Sequence, residues 1–393
     1  MNTPRSNRLH IALLGKRNSG KSSLVNALTQ QETALVSPVA GTTTDPVYKA
    51  MEIHGIGPCV FIDTAGFDDE GDLGTRRIEL TKKALQRADM ALMVCTGEHI
   101  GQELEWAQAL AEKHTPVVWV LNKADQLPHP EETARLIEQQ CGQPPLVTSV
   151  LRGEGIAAIR QALIERQPDD SAASGIVGHL VSPGDTVLLV MPQDLQAPKG
   201  RLILPQVQTL RELLDRQCLA LCCTTAQLDS LLAQLTRPPQ LIITDSQVFR
   251  TVYEKKPAES RLTSFSVLFA HYKGDIQTFV DGAAAIDRLT ETSRVLIAEA
   301  CTHAPLTEDI GREKIPALLR KRIGQGLQID IVAGTDFPED LRPYDLVIHC
   351  GACMFNRKYV LHRIASAQAQ GVPITNYGVT IAHLMGILDK IDY

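Results

Sequence analysis

The stretch Gly15-Lys16-Arg17-Asn18-Ser19-Gly20-Lys21-Ser22 fits G-x-x-x-x-G-K-S. It lies between an apolar run, Leu9–Leu14, and a stretch of helical pattern, Lys21–Leu28. No other feature constrains the chain as tightly. A strand must deliver a glycine-rich turn and a helix must begin where the turn ends, so that backbone N–H groups face a phosphate at the helix N-terminus. Lys21 is expected on the β- and γ-phosphates and Ser22 on Mg2+. Gly15, Asn18, Ser19, Gly20 and Ser23 line the same turn.

Beyond this helix the chain alternates strand and helix patterns. Cys59–Asp63, Met90–Cys95, Val117–Leu121 and Leu146–Ser149 read as strands, with helical patterns at Thr75–Arg87, Gly101–Lys113 and Glu131–Gln140. Such alternation implies a mainly parallel sheet with helices on both faces. Arg166–Gly175 is polar and reads as a linker. A second α/β block comes next, with strands at Thr186–Met191, Cys218–Cys222 and Leu241–Thr244. Glu254–Arg261, charged and holding Pro257, is a weaker boundary. The last block has strand patterns at Arg294–Glu299, Gln328–Val332, Asp345–His349 and Val372–Thr375. The expected fold class is α/β: a P-loop GTPase domain over 1–168, then two further α/β domains with mainly parallel sheets, over 175–258 and 262–393. No repeat of fixed period is visible.

Two further motifs narrow the nucleotide. Asp63-Thr64-Ala65-Gly66 ends a strand and fits D-x-x-G, which places Asp63 near Mg2+ through water and the Gly66 N–H toward the γ-phosphate. Asn122-Lys123-Ala124-Asp125 fits N-K-x-D. The Asp125 carboxylate can accept from both the N1–H and the 2-amino group of guanine, and adenine offers neither donor. Ser149-Val150-Leu151 falls where a loop contacting the base belongs. In order and spacing, residues 9–165 resemble the translation-factor-related GTPases. Gly41-Thr42-Thr43-Thr44-Asp45 resembles the first switch of the subgroup that includes the tRNA-modification and ribosome-assembly GTPases, which implies Thr43 as the Mg2+-ligating threonine. In potassium-activated members of that subgroup, an Asn at the position of Asn18 helps hold K+ beside the phosphates. Phe67 comes directly after Gly66, so the water-positioning glutamine of Ras-like proteins is missing, and slow intrinsic turnover is expected.

Composition excludes several roles. The net charge is −6 and aromatics are 4%, so neither a general attraction to nucleic acid nor base-stacking platforms are indicated. No apolar run reaches the ~20 residues of a membrane span, and Met1–Arg8 is short and polar, so the expected location is the cytoplasm, with no membrane and no nucleic acid among the partners.

Nine cysteines in a chain without secretory features suggest core packing, redox chemistry or metal. Cys301-Thr302-His303 and His349-Cys350-Gly351-Ala352-Cys353 each come after a strand pattern, so both belong at the carboxyl edge of a parallel sheet, where open α/β folds place ligands. Three readings stand: a zinc site, a buried structural cluster, or a [4Fe–4S] cluster on Cys301, Cys350 and Cys353. Such a cluster usually takes four cysteines, so one iron would carry His303, His349, another weak ligand or an open position. The remaining cysteines, Cys59, Cys95, Cys141, Cys218, Cys222 and Cys223, read as structural.

A GTPase segment, a middle α/β block and a C-x-H…H-C-x-x-C third block together resemble the [FeFe]-hydrogenase maturation GTPases over nearly the whole chain. Ala197–Gln206 and Leu241–Gln247 add to the likeness. The resemblance implies a homodimer whose middle domain mediates pairing. It also implies a scaffold that receives a di-iron unit with CO and CN ligands from two radical-SAM hydrogenase maturation enzymes and delivers it to apo-[FeFe]-hydrogenase. The expected cofactors are GTP, Mg2+, K+ and a [4Fe–4S] cluster. The competing function is a ribosome- or tRNA-associated GTPase with a structural zinc module.

Overall fold

The computed structural model describes residues 8–29, 47–53, 55–64, 72–167, 175–192, 202–300, 309–334, 336–352 and 355–393. Thr43, Gly66, Cys301, His303 and Cys353 lie outside them. The chain divides into two compact units, 1–169 and 170–393.

The first unit runs β1 (Leu9–Leu14), α1 (Lys21–Thr29), β2 (Val47–Ile53), β3 (Gly57–Asp63), α2 (Asp72–Leu85), β4 (Met90–Cys95), α3 (Gly101–Ala111), β5 (Val117–Leu121), α4 (Pro130–Cys141), β6 (Leu146–Val147) and α5 (Ile156–Glu165). The sheet order is β2-β3-β1-β4-β5-β6. All pairs are parallel except β2 with β3. Successive side chains of a strand point to opposite faces. Ile11 and Leu13 therefore enter one core with Leu24 and Ile159, while Ala12 and Leu14 enter the other with Leu110 and Ile137. Burial on both faces explains why β4 and β5 read as unbroken apolar runs and β1 as one interrupted by His10.

The second unit holds two sheets. Its first part runs β7 (Thr186–Val190), α6 (Leu204–Asp215), β8 (Leu219–Cys223), α7 (Leu228–Gln234), β9 (Leu241–Thr244), α8 (Phe249–Lys255), β10 (Arg261–Ser264) and α9 (Phe265–Lys273). Then come α10 (Ile276–Ala283), β11 (Arg294–Ala298), α11 (Ile315–Ile323), β12 (Gln328–Val332), β13 (Leu346–His349), α12 (Arg357–Ala369), β14 (Ile374–Asn376) and α13 (Tyr377–Leu384). The orders are β10-β9-β7-β8 and β12-β11-β13-β14, with every pair parallel. Numbered within its own sheet, each has the order 2-1-3-4, so strand order reverses between β7 and β9 and again between β11 and β13. A crevice at such a reversal is where open α/β sheets bind ligands. One hydrophobic core reaches from Leu188 and Ile242 of the first sheet to Ile297 and Val347 of the second.

A boundary expected at 258–262 falls on β10, the edge strand of the first of these sheets. Arg261-Leu262-Thr263-Ser264 has one large apolar residue, too little for a period-two pattern to stand out after the charged turn at Pro257. Among the described residues no helix is long and apolar enough to cross a membrane.

Candidate functional site

The described residues expected at the nucleotide come from the carboxyl ends of β1, β3, β5 and β6. Gly15 has φ +146°, and a Cβ there would stand 2.3 Å from the Val94 carbonyl oxygen, so the turn admits only glycine at that point. Asn18 sits in the left-handed region at φ +59°, which asparagine tolerates better than most residues. Lys21, 8% exposed, donates to the Gly15 and Lys16 carbonyls at 2.7 and 2.9 Å, which aims its ammonium across the turn. Ser22 Oγ donates to Asp63 Oδ2 at 3.2 Å, so the two groups assigned to a hydrated Mg2+ meet.

Asn122 and Asp125 have different duties. Asn122 Nδ2 donates to the Ser19 carbonyl at 2.9 Å, tying the loop after β5 to the phosphate turn. Lys123 takes φ +59°, and Asp125 receives the Ser149 hydroxyl at 2.5 Å. Ala124 N donates to the Thr148 carbonyl at 3.1 Å, so the loops after β5 and β6 form one platform beside Val150. Ser149, expected in the loop that contacts the base, turns its hydroxyl to the Asp125 carboxylate. Lys49 of β2 was not foreseen. Its Nζ lies 3.8 Å from Asp63 Oδ2; the alternation in Val47–Ile53 was the available signal.

The described part of the second constellation, His349 to Ala352, lies at the reversal between β11 and β13. Cys350 Sγ accepts the Ala300 N–H at 2.9 Å and the Ala352 N–H at 3.4 Å. Two backbone donors on one sulfur stabilise thiolate, the form that binds iron or zinc, so the donor chemistry at this cysteine fits a metal cluster. The Cys350 carbonyl accepts from Asn376 Nδ2 at 3.2 Å, at the end of β14. Lys273, 2% exposed, donates to the Ala352 and Phe355 carbonyls at 3.0 and 2.8 Å, and Arg357 donates to the Tyr272 carbonyl at 2.8 Å. The C-terminus of α9 is thereby stitched to the C-x-x-C loop.

His349, one of the alternatives for the remaining iron, has other partners at both ring nitrogens. It is 1% exposed; its Nδ1 lies 2.7 Å from the Cys350 carbonyl and its Nε2 lies 2.9 Å from Arg363 Nη1. Both ring nitrogens are engaged inward, because α12 packs a guanidinium beneath β13. Burial, then the Arg363 charge, pushes its pKa down to about 3. Among the described residues no three His, Cys, Asp or Glu side chains gather at one point. Elsewhere Cys59, Cys95, Cys218 and Cys223 are buried, Cys141 is half-buried and Cys222 is exposed. Burial pushes the Cys59 thiol up to about 12, as suits an inert packing residue.

Comparison with known proteins agrees with this layout. The model of the 50S ribosome-binding GTPases matches residues 10–123. The hydrogen maturase F dimerization domain matches 176–274, and the hydrogen maturase F tetramerization domain matches 277–391. The tRNA modification GTPase MnmE of Bordetella petrii is 38% identical over 40% of this chain and 33% of its own length. That of Laribacter hongkongensis is 39% identical over 40% of this chain and 34% of its own. The chain thus spans about a third of the curated relatives it matches. Among solved structures, an Era variant of Aquifex aeolicus bound to GDP and AlF4− is 21% identical, covers 55% of this chain and 92% of that one, and has a TM-score of 0.36.

The first unit is a GTPase domain with a P-loop, joined to a pair of parallel α/β sheets. Two contiguous matches to hydrogen maturase F domains cover nearly all of the second unit. The chain belongs to the hydrogen maturase F family.

Proposed function

We propose that this chain is a GTP-hydrolysing scaffold and carrier for a metallocluster. In the first unit Lys21 and the P-loop amides hold the phosphates, while Ser22 and Thr43 ligate Mg2+ and Asp63 reaches it through water. Asp125 selects guanine, and Asn18 helps hold a K+ that supplies transition-state charge. In the second unit Cys301, Cys350 and Cys353 hold a [4Fe–4S] cluster, with the fourth iron left to a weaker ligand such as His303 or to cargo. A di-iron unit with CO and CN ligands arrives from radical-SAM maturation enzymes and leaves to an apo-[FeFe]-hydrogenase. The copies pair through the domain at 175–258. Leu219, 61% exposed on the edge strand β8, and Leu214, 56% exposed on α6, suit burial against a second copy.

The observation that carries this reading is Cys350: a sulfur receiving two backbone N–H bonds, at the strand-order reversal of a hydrogen maturase F domain, in a chain that also carries a GTPase domain. The tRNA chemistry named for the curated relatives is not carried over, since that likeness is confined to the GTPase portion.

The test is metal content per chain, measured anaerobically, for wild type and for single alanine substitutions of Cys301, Cys350, Cys353, His303 and His349. Iron and sulfide lost with each cysteine but largely kept with each histidine is the expected result. Zinc in place of iron, or full iron in all three cysteine variants, sinks the proposal.

A further inference from the structure

The ends of β11 and β14 bond to Cys350, and the loop after β12 is tied to its neighbour His349. The loop after β11 reaches the Cys350 sulfur through Ala300 N, and the end of β14 reaches the Cys350 carbonyl through Asn376. The loop after β12 is joined by one side chain, Arg363 of α12. This residue is 1% exposed. Its Nη2 donates to the Gly334 carbonyl at 2.6 Å and to the Tyr359 hydroxyl at 3.1 Å, while its Nη1 faces His349 Nε2 at 2.9 Å. The guanidinium carbon lies 4.6 Å from the ring centres of both Phe337 and Tyr359.

We propose that Arg363 is a positioning residue for the cluster loop, acting through His349; this rests on the cluster reading above. Arginine only donates, so His349 Nε2 must be the acceptor. A neutral ring then carries its proton on Nδ1, where it donates to the Cys350 carbonyl. One guanidinium thus sets the tautomer of His349, and the tautomer holds the backbone of the first C-x-x-C cysteine. Lysine could not replace it, because a point charge with no planar fork cannot serve Gly334 and His349 in fixed directions. The aromatic faces hold the fork and favour its charge. Net charge and hydrogen bonding around a cluster are the levers that set its potential, so the same cation favours the reduced, more negative state.

Two measurements on the full-length protein test this. In metal-free wild type with 15N-labelled histidine rings, His349 is expected as the Nδ1–H tautomer, its signal assigned by its loss in His349→Asn. A ring protonated on Nε2 overturns the proposal. After anaerobic reconstitution with Fe2+ and sulfide, Arg363→Gln is expected to retain most iron but to show altered g-values and a more negative midpoint potential. Arg363→Lys is expected to recover the potential without recovering the tautomer. Unchanged g-values and potential in Arg363→Gln also overturn it. If Arg363→Gln fails to fold, Arg363→Lys and the wild-type tautomer still decide. A wild type that takes up neither iron nor sulfide sinks the cluster reading and the electrostatic role of Arg363 with it, leaving the tautomer to judge the contact alone.

Discussion

The Ser149 hydroxyl donates to Asp125 Oδ1 at 2.5 Å. A loop after β6 thereby fixes a carboxylate presented by the loop after β5, and the two strands need only be neighbours for this to happen. Ser149 also accepts the Arg152 N–H at 3.2 Å, which holds its own loop closed.

Guanine selection should therefore depend on both residues, unequally. Asp125→Asn reverses one donor–acceptor pair and should weaken GTP binding by ~1–3 kcal/mol, about five- to 150-fold, while improving binding of xanthosine triphosphate. Ser149→Ala removes only the orienting bond and should cost ~0.5–1.5 kcal/mol, about two- to tenfold. Equilibrium titration with both nucleotides checks this; equal losses in the two variants would count against the division of labour.

Hydrolysis should stop in Lys21→Ala and Ser22→Ala with iron content unchanged, because the two sites lie in separate compact units. Replacing K+ with Na+ should slow the wild type markedly and affect Asn18→Gly much less. Glycine is the cleaner substitution, since φ is +59° at this position and a Cβ is strained there. Phosphate release in the two salts is the measurement, and equal wild-type rates would remove K+ from the proposal.

Acid should weaken the second unit through a histidine stack. His179 and His271 lie face to face with ring centres 4.0 Å apart. Burial, then His271, pushes His179 down to about 4, with Glu212, Arg216 and Arg261 also acting on it. Burial, then Arg357, lowers His271 too. The unfolded chain thus takes up protons near pH ~6.5 that the folded chain refuses, so stability is full above that value and falls as pH drops toward 4. His179→Gln should flatten the melting temperature over that interval; an unchanged slope would refute the assignment.

Packing of α10 on β14 leaves no room at Gly282, where a Cβ would meet the Ile374 carbonyl oxygen at 2.0 Å. Backbone cannot move aside as a side chain can. Gly282→Ala should destabilise the second unit by ~1–3 kcal/mol, with nucleotide affinity unaltered. Thermal melting tracked alongside GTP titration separates the two effects.

Local chemistry made the first unit legible in sequence. Leu9–Leu14, interrupted only by His10, and Met90–Cys95 and Val117–Leu121 are apolar runs because helices cover both faces of their sheet, and their bounds match the structure residue for residue. The glycine turn, D-x-x-G and N-K-x-D are short motifs on strand ends, so reading order along the chain sufficed to find them. The second unit yielded less. The edge strand β10 is too short to show a period, and the shared 2-1-3-4 order of its two sheets has no counterpart in sequence spacing, because topology is set by which strands pair. His349 illustrates the remaining gap. Its neighbours in sequence, Cys350 and Cys353, suggest a metal ligand, whereas its neighbours in space engage both ring nitrogens. Arg363 stands fourteen residues away on α12, in a helix whose pattern says nothing of which side chain turns inward. Only packing that helix beneath β13 decides that a charge is buried there and that the imidazole must accept from it.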